Sequence, residues 1–382
     1  MLYLDHASTS HPKPSSIVRA ISRYLHDIGA SPGKGSYEHE RTASHIVLNT
    51  RKKLSALFSI EDSNLLAFSN NATHSFNILI KGFLKKNEHA VICSNSHNAC
   101  IRPLEILRRE RGVSYDILLI EKNGSVDMKK VESLIRKNTA LFVMNHASNV
   151  TGVVSEIISL SHFLEKREIP LALDVSQTAG IIPLNIKKIP IDFLVGTGHK
   201  TLMGPPGIGF FYAKDPFKVS SLIEGGSPGN ASSSPKHPIA PPFRFEAGTL
   251  NYLGIAGLQA SLEYCRSIGF SKICHQALDI LNYLTERLRE LPNITLYGDE
   301  DIQKKVPIIS FNLKKTTASR VAQILDKQHN ISVRSGLHCA PYCHKSLNTY
   351  PMGTVRTSLG HNIKRNDIDR LIYALQELKG KK

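Results

Sequence analysis

The feature that most constrains this chain is a series of short, almost purely apolar runs, most of them separated by helix-length segments. They are NLLAFS (64–69), AVICS (90–94), YDILLI (115–120), ALFVMN (140–145), PLALDV (170–175) and DFLVGT (192–197). A strand with one face in water alternates polar and apolar residues. These runs do not alternate, so both of their faces are expected to be buried. Apolar strands separated by helices, such as the segment from Ser155 to Arg167, predict a largely parallel sheet covered on both sides. A further run, GIGFFYAK (207–214), follows too closely for a helical crossover and is expected to be antiparallel.

The texture then changes. Residues 225–243 hold five prolines and a serine cluster, which reads as a loop. After Gly248 come long helices, with VPIISFNL (306–313) and ISVRSG (331–336) as strands. A last helix, with Asn366 as its N-cap, sets Ile368, Leu371, Ile372, Leu375 and Leu378 on one face. The expected organisation is a large α/β domain over 13–250 and a smaller α+β domain over 251–382. A chain of 382 residues is long enough for two such cores, and no internal repeat is visible.

Composition narrows the class. Hydrophobic content of 41% with 21% charged residues describes a globular protein. No apolar run approaches the roughly 18 residues of a membrane span. The opening MLYLDHASTSHPKP carries Asp5 early and lacks the apolar core of a signal peptide, so a cytoplasmic location is expected. The six cysteines have no disulfide-framework spacing and should be thiols in a reducing compartment. A formal charge of +16 raises the question of nucleic acid. The basic residues are spread along the chain, with only short clusters such as the terminal KGKK, and neither zinc-finger spacing nor an RNA-recognition signature occurs. A basic surface attractive to anionic ligands is the plainer reading.

The chemistry concentrates in three places. DFLVGTGHKTLMGPPGIGFFYA puts Lys200 just past a strand end, where ligands bind in open parallel sheets, although most lysines in such loops are merely solvated. PLALDVSQTAG ends another strand at Asp174, with Gln177 one turn on; the alternative role for this acid is a helix cap. SNNATHSFN (69–77) joins a strand to a helix through small polar residues, whose amides suit an anion. A lysine and an acid at neighbouring strand ends, with a phosphate seat, are the groups that pyridoxal phosphate needs.

VRSGLHCAPYCHKS (333–346) admits several readings: a metal site, half of a disulfide, a loop with one reactive thiol, or buried small hydrophobes. Cys339 and Cys343 have zinc-like spacing, but no second ligand pair appears at a matching distance. Arg334 and His338 lie close in sequence, and positive neighbours favour a thiolate at Cys339. Cys343 and His344 read as structural.

With these motifs the chain resembles the class V, fold-type I pyridoxal-phosphate enzymes, within the cysteine desulfurase and selenocysteine lyase family. The resemblance runs in order through YLDHAST, HASNVTG, LDVSQTAG, GTGHKTLMGPPGIG, RFEAGTLN, VRSGLHCAP and GTVRTSLG, and GLHCAP is similar to the short active-site loop of the group II desulfurases. It implies an aspartate-aminotransferase-like fold: a large, mainly parallel seven-stranded sheet domain, a smaller C-terminal domain, and residues 1–12 packed near the active site. It implies that Lys200 forms the Schiff base, Asp174 pairs with the pyridine nitrogen, Gln177 bonds the phenolic oxygen and His97 stacks on the ring. Ala72, Thr73, Thr197 and His199 would hold the phosphate, joined by Thr249 from the other subunit of a homodimer. Asn149 would sit near the cofactor oxygen and the substrate carboxylate. Arg356 would grip that carboxylate bidentately, with Arg334 beside it. Cys339 would be the nucleophile, taking sulfur from L-cysteine as a persulfide, releasing alanine and passing the sulfur to an acceptor protein or small thiol.

The pattern is not followed everywhere. Where the family often has Asn-Ala-Ala this chain has His6-Ala7-Ser8, on a loop near the substrate, and His74 replaces an acid in the phosphate turn. Rival readings on the same fold are a selenocysteine lyase or a class V aminotransferase, epimerase or other lyase. A rival of another class is a non-catalytic sulfur carrier or a nucleic-acid-associated protein that keeps the fold.

Overall fold

The computed structural model describes residues 1–33, 37–227 and 234–378. Seven strands form the main sheet: β1 (Leu66–Ser69), β2 (His89–Cys93), β3 (Ser114–Leu118), β4 (Thr139–Asn145), β5 (Leu171–Asp174), β6 (Phe193–Thr197) and β7 (Gly209–Ala213). Their order is β1-β7-β6-β5-β4-β2-β3. The run β6-β5-β4-β2-β3 is parallel, and β7 pairs antiparallel with both β6 and β1. The antiparallel assignment of 207–214 from its short connection therefore holds.

Strand pleating explains why the runs are apolar throughout. Val91, Phe142, Met144, Phe210 and Tyr212 point into one core, and Ala90, Ile92, Leu141, Val143 and Phe211 point into another. The first core is covered by the helices Glu38–Ala56, Ile158–Glu165 and Tyr252–Ile268, through residues such as Leu54, Leu160 and Leu258. The second is covered by Ala72–Phe83 and Asn98–Arg111, through Phe76, Leu79, Leu104 and Leu107. Gly196 is required in β6 because a Cβ there would lie 2.2 Å from the Phe210 ring.

The segment after the proline-rich loop is tied down by one buried ion pair. Glu246 accepts from Arg51 Nη1 at 2.7 Å, Arg51 Nη2 at 2.9 Å and the Phe68 N–H at 2.6 Å. Arg51 also donates to the Leu66 carbonyl, and its guanidinium lies over the Phe68 ring. Next to it, Phe245 packs edge-on against Phe211.

A second, antiparallel sheet contains β8 (Ile294–Tyr297), β9 (Ile308–Leu313), β10 (Arg334–Gly336) and β11 (Thr354–Ser358), in the order β10-β11-β9-β8. Its core is shared with the helices Phe270–Arg289, Ala318–His329 and Arg365–Glu377. At the other end of the sequence, Leu2–Tyr3 pairs parallel with Ile331–Ser332, and Asp5 bridges Ser358.

Three local expectations need correction. The last helix begins at Arg365, not after Asn366: Asp367 accepts from the Lys364 N–H at 3.0 Å and so caps the backbone one turn earlier. Its apolar face is as expected, with Ile368, Leu371, Ile372, Leu375 and Leu378 all buried. The run 331–336 breaks at Val333 because its halves serve different partners, Leu2–Tyr3 and β11. The helix expected from Ser155 to Arg167 spans only Ile158–Glu165. The described residues of 225–243 form no helix or strand; 228–233 and the terminal KGKK lie outside the described residues.

Candidate active site

The parallel strands deliver their carboxyl ends to one cavity of about 230 Å³, which the N-terminal segment and the second sheet complete. Asn145 ends β4, Asp174 ends β5, Thr197 ends β6, and His97 caps the helix after β2. Ala72 and Thr73 open the helix after β1, whose cap is Asn71, accepting from the His74 N–H at 2.9 Å. All of these, with Gln177, Asn149, His199, Lys200, Arg334, Cys339 and Arg356, line the cavity. Thr249 does not; it is exposed on the tethered segment beyond Glu246.

Burial dominates the electrostatics. The Asp174 carboxyl is pushed above the usual carboxylate range by burial, while Ser176, donating its N–H at 2.9 Å, and the Lys200 charge pull it back. Lys200 is drawn below the ordinary lysine range, chiefly by desolvation, with Asp174 opposing and Arg356 assisting. His97 is lowered to about 4 by burial first and then by Lys200 and Arg102. Its Nδ1 accepts from the Ala99 N–H at 3.0 Å, so the neutral ring carries its proton on Nε2. His199 is likewise lowered to about 4. Its carbonyl is gripped by the N-terminal segment, receiving bonds from Ser10 N–H at 3.0 Å and Lys13 Nζ at 2.9 Å. That grip fixes the backbone immediately before Lys200. Gln177 donates Nε2 to the Ala7 carbonyl at 3.0 Å, and Thr197 donates to the Ile208 carbonyl at 3.4 Å.

The second sheet supplies the arginines. Arg356 and Arg334 face each other directly across β11 and β10. Arg356 is buried and donates to the Asn149 carbonyl at 2.9 Å, to Asp5 Oδ1 at 2.7 Å and to Ser8 Oγ at 2.9 Å. Cys339 is exposed, on a turn where His338 and Cys339 both take left-handed backbone, φ 48° and 57°. Two consecutive residues with a Cβ in that region need outside support. Asn149 Nδ2 gives it by bonding the His338 carbonyl at 2.7 Å, and the Asn98 N–H by bonding the Cys339 carbonyl at 2.7 Å.

The expectation that His338 lends positive charge to the thiol fails. Burial, then Arg356 and His344, lower it to about 2, so its ring is neutral and Nε2 donates to the Thr354 carbonyl at 3.2 Å. Arg334 is the adjacent cation that stays. Cys343 is buried four residues on, where desolvation pushes its thiol up to about 12, in keeping with a structural role. Among the described residues, no group of three His, Cys, Asp or Glu side chains could hold a metal ion.

The cavity is suited to a polar guest. Asn145 Oδ1, Asn149 Oδ1, Ser176 Oγ and Arg356 Nε are buried without hydrogen-bond partners in the protein. Such atoms are costly unless something else satisfies them. Sequence reasoning passed over Asn145, Ser176, Asn71 and the contact of Asp5 with Arg356. Asn145 could have been found by the rule that gave Asp174, since it too ends an apolar run.

Known proteins resemble this chain over nearly its whole length. The family model for aminotransferase class-V matches residues 2–371. A probable cysteine desulfurase of Methanothermobacter thermautotrophicus is 30% identical, with 99% of this chain and 95% of the relative covered. One from Pyrococcus abyssi is 31% identical, covering 99% and 94%. The apo structure of the cysteine desulfurase from Thermococcus onnurineus superposes with a TM-score of 0.91 at 30% identity, over 100% of this chain and 95% of that one. The fold is thus that of the class V enzymes. The chain belongs to the aminotransferase class-V family.

Proposed function

We propose that this protein is a pyridoxal-phosphate-dependent cysteine desulfurase that converts L-cysteine to L-alanine and captures the sulfur on Cys339. The observation that carries this reading is the exposed Cys339, held by Asn149 and Asn98 at the mouth of a cavity lined by Lys200 and Asp174. The family match and the names of the relatives point the same way.

The residues fit the cofactor. Lys200 would hold its aldehyde carbon, Asp174 its ring nitrogen, Gln177 its phenolic oxygen and His97 its ring face. Ala72, Thr73, Thr197 and His199 would hold its phosphate, at the end of a helix whose free amides favour an anion. Thr249 would reach the phosphate site of a second copy in a homodimer. When bound, pyridoxal phosphate supplies an electrophilic carbon and a ring that accepts an electron pair.

The protein's own groups do the rest. Arg356, with Asn149 and Arg334, orients the substrate carboxylate. Desolvation makes Lys200 easier to deprotonate, which suits an amine that must remove the α-proton. His97, neutral above about pH 5, presents a flat uncharged ring. The Cys339 thiolate attacks the substrate sulfur: an S–S bond forms, the C–S bond breaks, and its electron pair stays with the carbon, which takes a proton to give alanine. The persulfide then passes to a sulfur-acceptor protein or small thiol. A cytoplasmic setting belongs to this reading, supported by six free thiols. Among the described residues no helix is long and apolar enough to cross a membrane. A division into domains near residue 250 is part of the same proposal.

The test is a short pulse of cysteine followed by mass mapping. One added sulfur should appear on the Cys339 peptide, and Cys339→Ala should lose sulfide and alanine production while still binding the cofactor. Full desulfurase activity in Cys339→Ala would overturn the thiol mechanism. Parallel assays with selenocysteine and cysteine sulfinate identify the preferred substrate.

A further inference from the structure

We propose that Ser8 is a positioning residue: its hydroxyl ties the exposed Arg334 to the buried Arg356 and so fixes the second cation of the substrate-carboxylate pocket. The inference rests on the proposed role of these arginines in holding substrate. It starts from an awkward feature of the second sheet. Arg334 and Arg356 are direct cross-strand neighbours, an arrangement in which like charges repel. Arg356 is anchored from several sides, but Arg334 is not. Its side chain is 46% exposed, and its nearest acid, Asp5, is 3.8 Å away.

The Ser8 hydroxyl fills the gap. It accepts from Arg334 Nη1 at 2.9 Å and from Arg356 Nη2 at 2.9 Å, and donates to Asp5 Oδ1 at 2.8 Å. One donor and two acceptor positions are all that a hydroxyl has, and all three are used. Among the described residues, Ser8 Oγ is the one hydrogen-bond partner of the Arg334 guanidinium. Without it a long, half-exposed side chain would regain its rotamer freedom and swing away from its like-charged neighbour. Position 8 is also a place where the family this chain resembles often has alanine, which has no hydroxyl to make this tie.

The test is a double-mutant cycle on the cofactor-loaded enzyme, with Ser8→Ala, Arg334→Ala and the double variant, read as KM and kcat for alanine formation from cysteine. Ser8→Ala should raise KM about five-fold, the effect of one partly solvated charged hydrogen bond, with the loss falling on KM and not on kcat. Ser8→Thr should restore the wild-type KM. In the Arg334→Ala background, Ser8→Ala should change KM by less than about two-fold, since the residue it positions is gone. A second measurement needs no turnover: the rate of phenylglyoxal labelling at the Arg334 peptide should rise several-fold in Ser8→Ala. Equal KM effects in both backgrounds, a lowered KM, or unchanged labelling would each overturn the proposal. Wild-type protein that makes no alanine from cysteine would instead refute the desulfurase reading, and the labelling rates would still judge Ser8.

Discussion

Replacing Glu246 by glutamine tests the tie that holds the segment bearing Thr249. The carboxylate is 1% exposed and Arg51 6% exposed, so solvent can relieve neither charge. Glutamine keeps the shape and one acceptor oxygen. It places an amide N–H₂ where the second oxygen received an Arg51 donor, and it leaves the guanidinium without a counter-ion. Breaking one partner of a buried pair costs about 3–5 kcal/mol, and the retained acceptor puts this case near ~3. At roughly 2–4 °C per kcal/mol for a unit of this size, the melting temperature should fall about 6–12 °C, measured by calorimetry with far-UV circular dichroism alongside. The double variant Arg51→Met/Glu246→Met removes both charges and should not lose the sum of the single effects. It should still fall short of wild type, because the Phe68 N–H and Leu66 carbonyl lose partners worth about 1–3 kcal/mol each. A fall below ~2 °C for Glu246→Gln, or strict additivity in the double variant, would refute the reasoning.

Gly196→Ala should destabilise by about 3 kcal/mol or prevent folding, since its Cβ would meet the Phe210 ring at 2.2 Å; Gly196→Ala/Phe210→Leu should recover part of the loss in urea titrations. The buried His146 is lowered by desolvation from 6.5 to about 4. The unfolded chain therefore binds the extra proton between those values, so the stability His146 contributes is full above about pH 6.5 and is lost as pH drops toward 4, on the order of 3 kcal/mol from this residue. Urea midpoints at pH 7.5 and 5 should show part of this fall, and His146→Gln should make it shallower without removing it, because His97, His199 and His338 are lowered in the same sense. Sedimentation should give twice the chain mass of 42.3 kDa, and a stable monomer with full cofactor occupancy would contradict the role given to Thr249.

Local pattern carried much of this molecule. Buried parallel strands are apolar on both faces, so their ends, and with them Lys200 and Asp174, could be located by eye. The tight link before Gly209 fixed the direction of β7 for the same reason. What pattern could not convey was pairing at long range and the state of buried charge. Asp5 meets Arg356 across 351 positions, and nothing near either residue announces the other. His338 reads as a cation beside Cys339 because sequence shows neighbours but not desolvation. The break at Val333 was hidden because one apolar stretch serves two partners.

The grip of the N-terminal segment on both sheets bears on the order in which the molecule can assemble. Leu2 and Tyr3 wait for Ile331 and Ser332, and Asp5 waits for Arg356 and Ser358. On a ribosome Leu2, Tyr3 and Asp5 emerge early, yet their partners are made more than three hundred residues later. The main sheet can close by then, since its strands follow one another closely along the chain. The carboxylate end of the cavity cannot, because closing it requires joining the most distant parts of the sequence, the slowest kind of contact to form. The cavity's two ends should thus mature at different times, the lysine end first and the arginine end last.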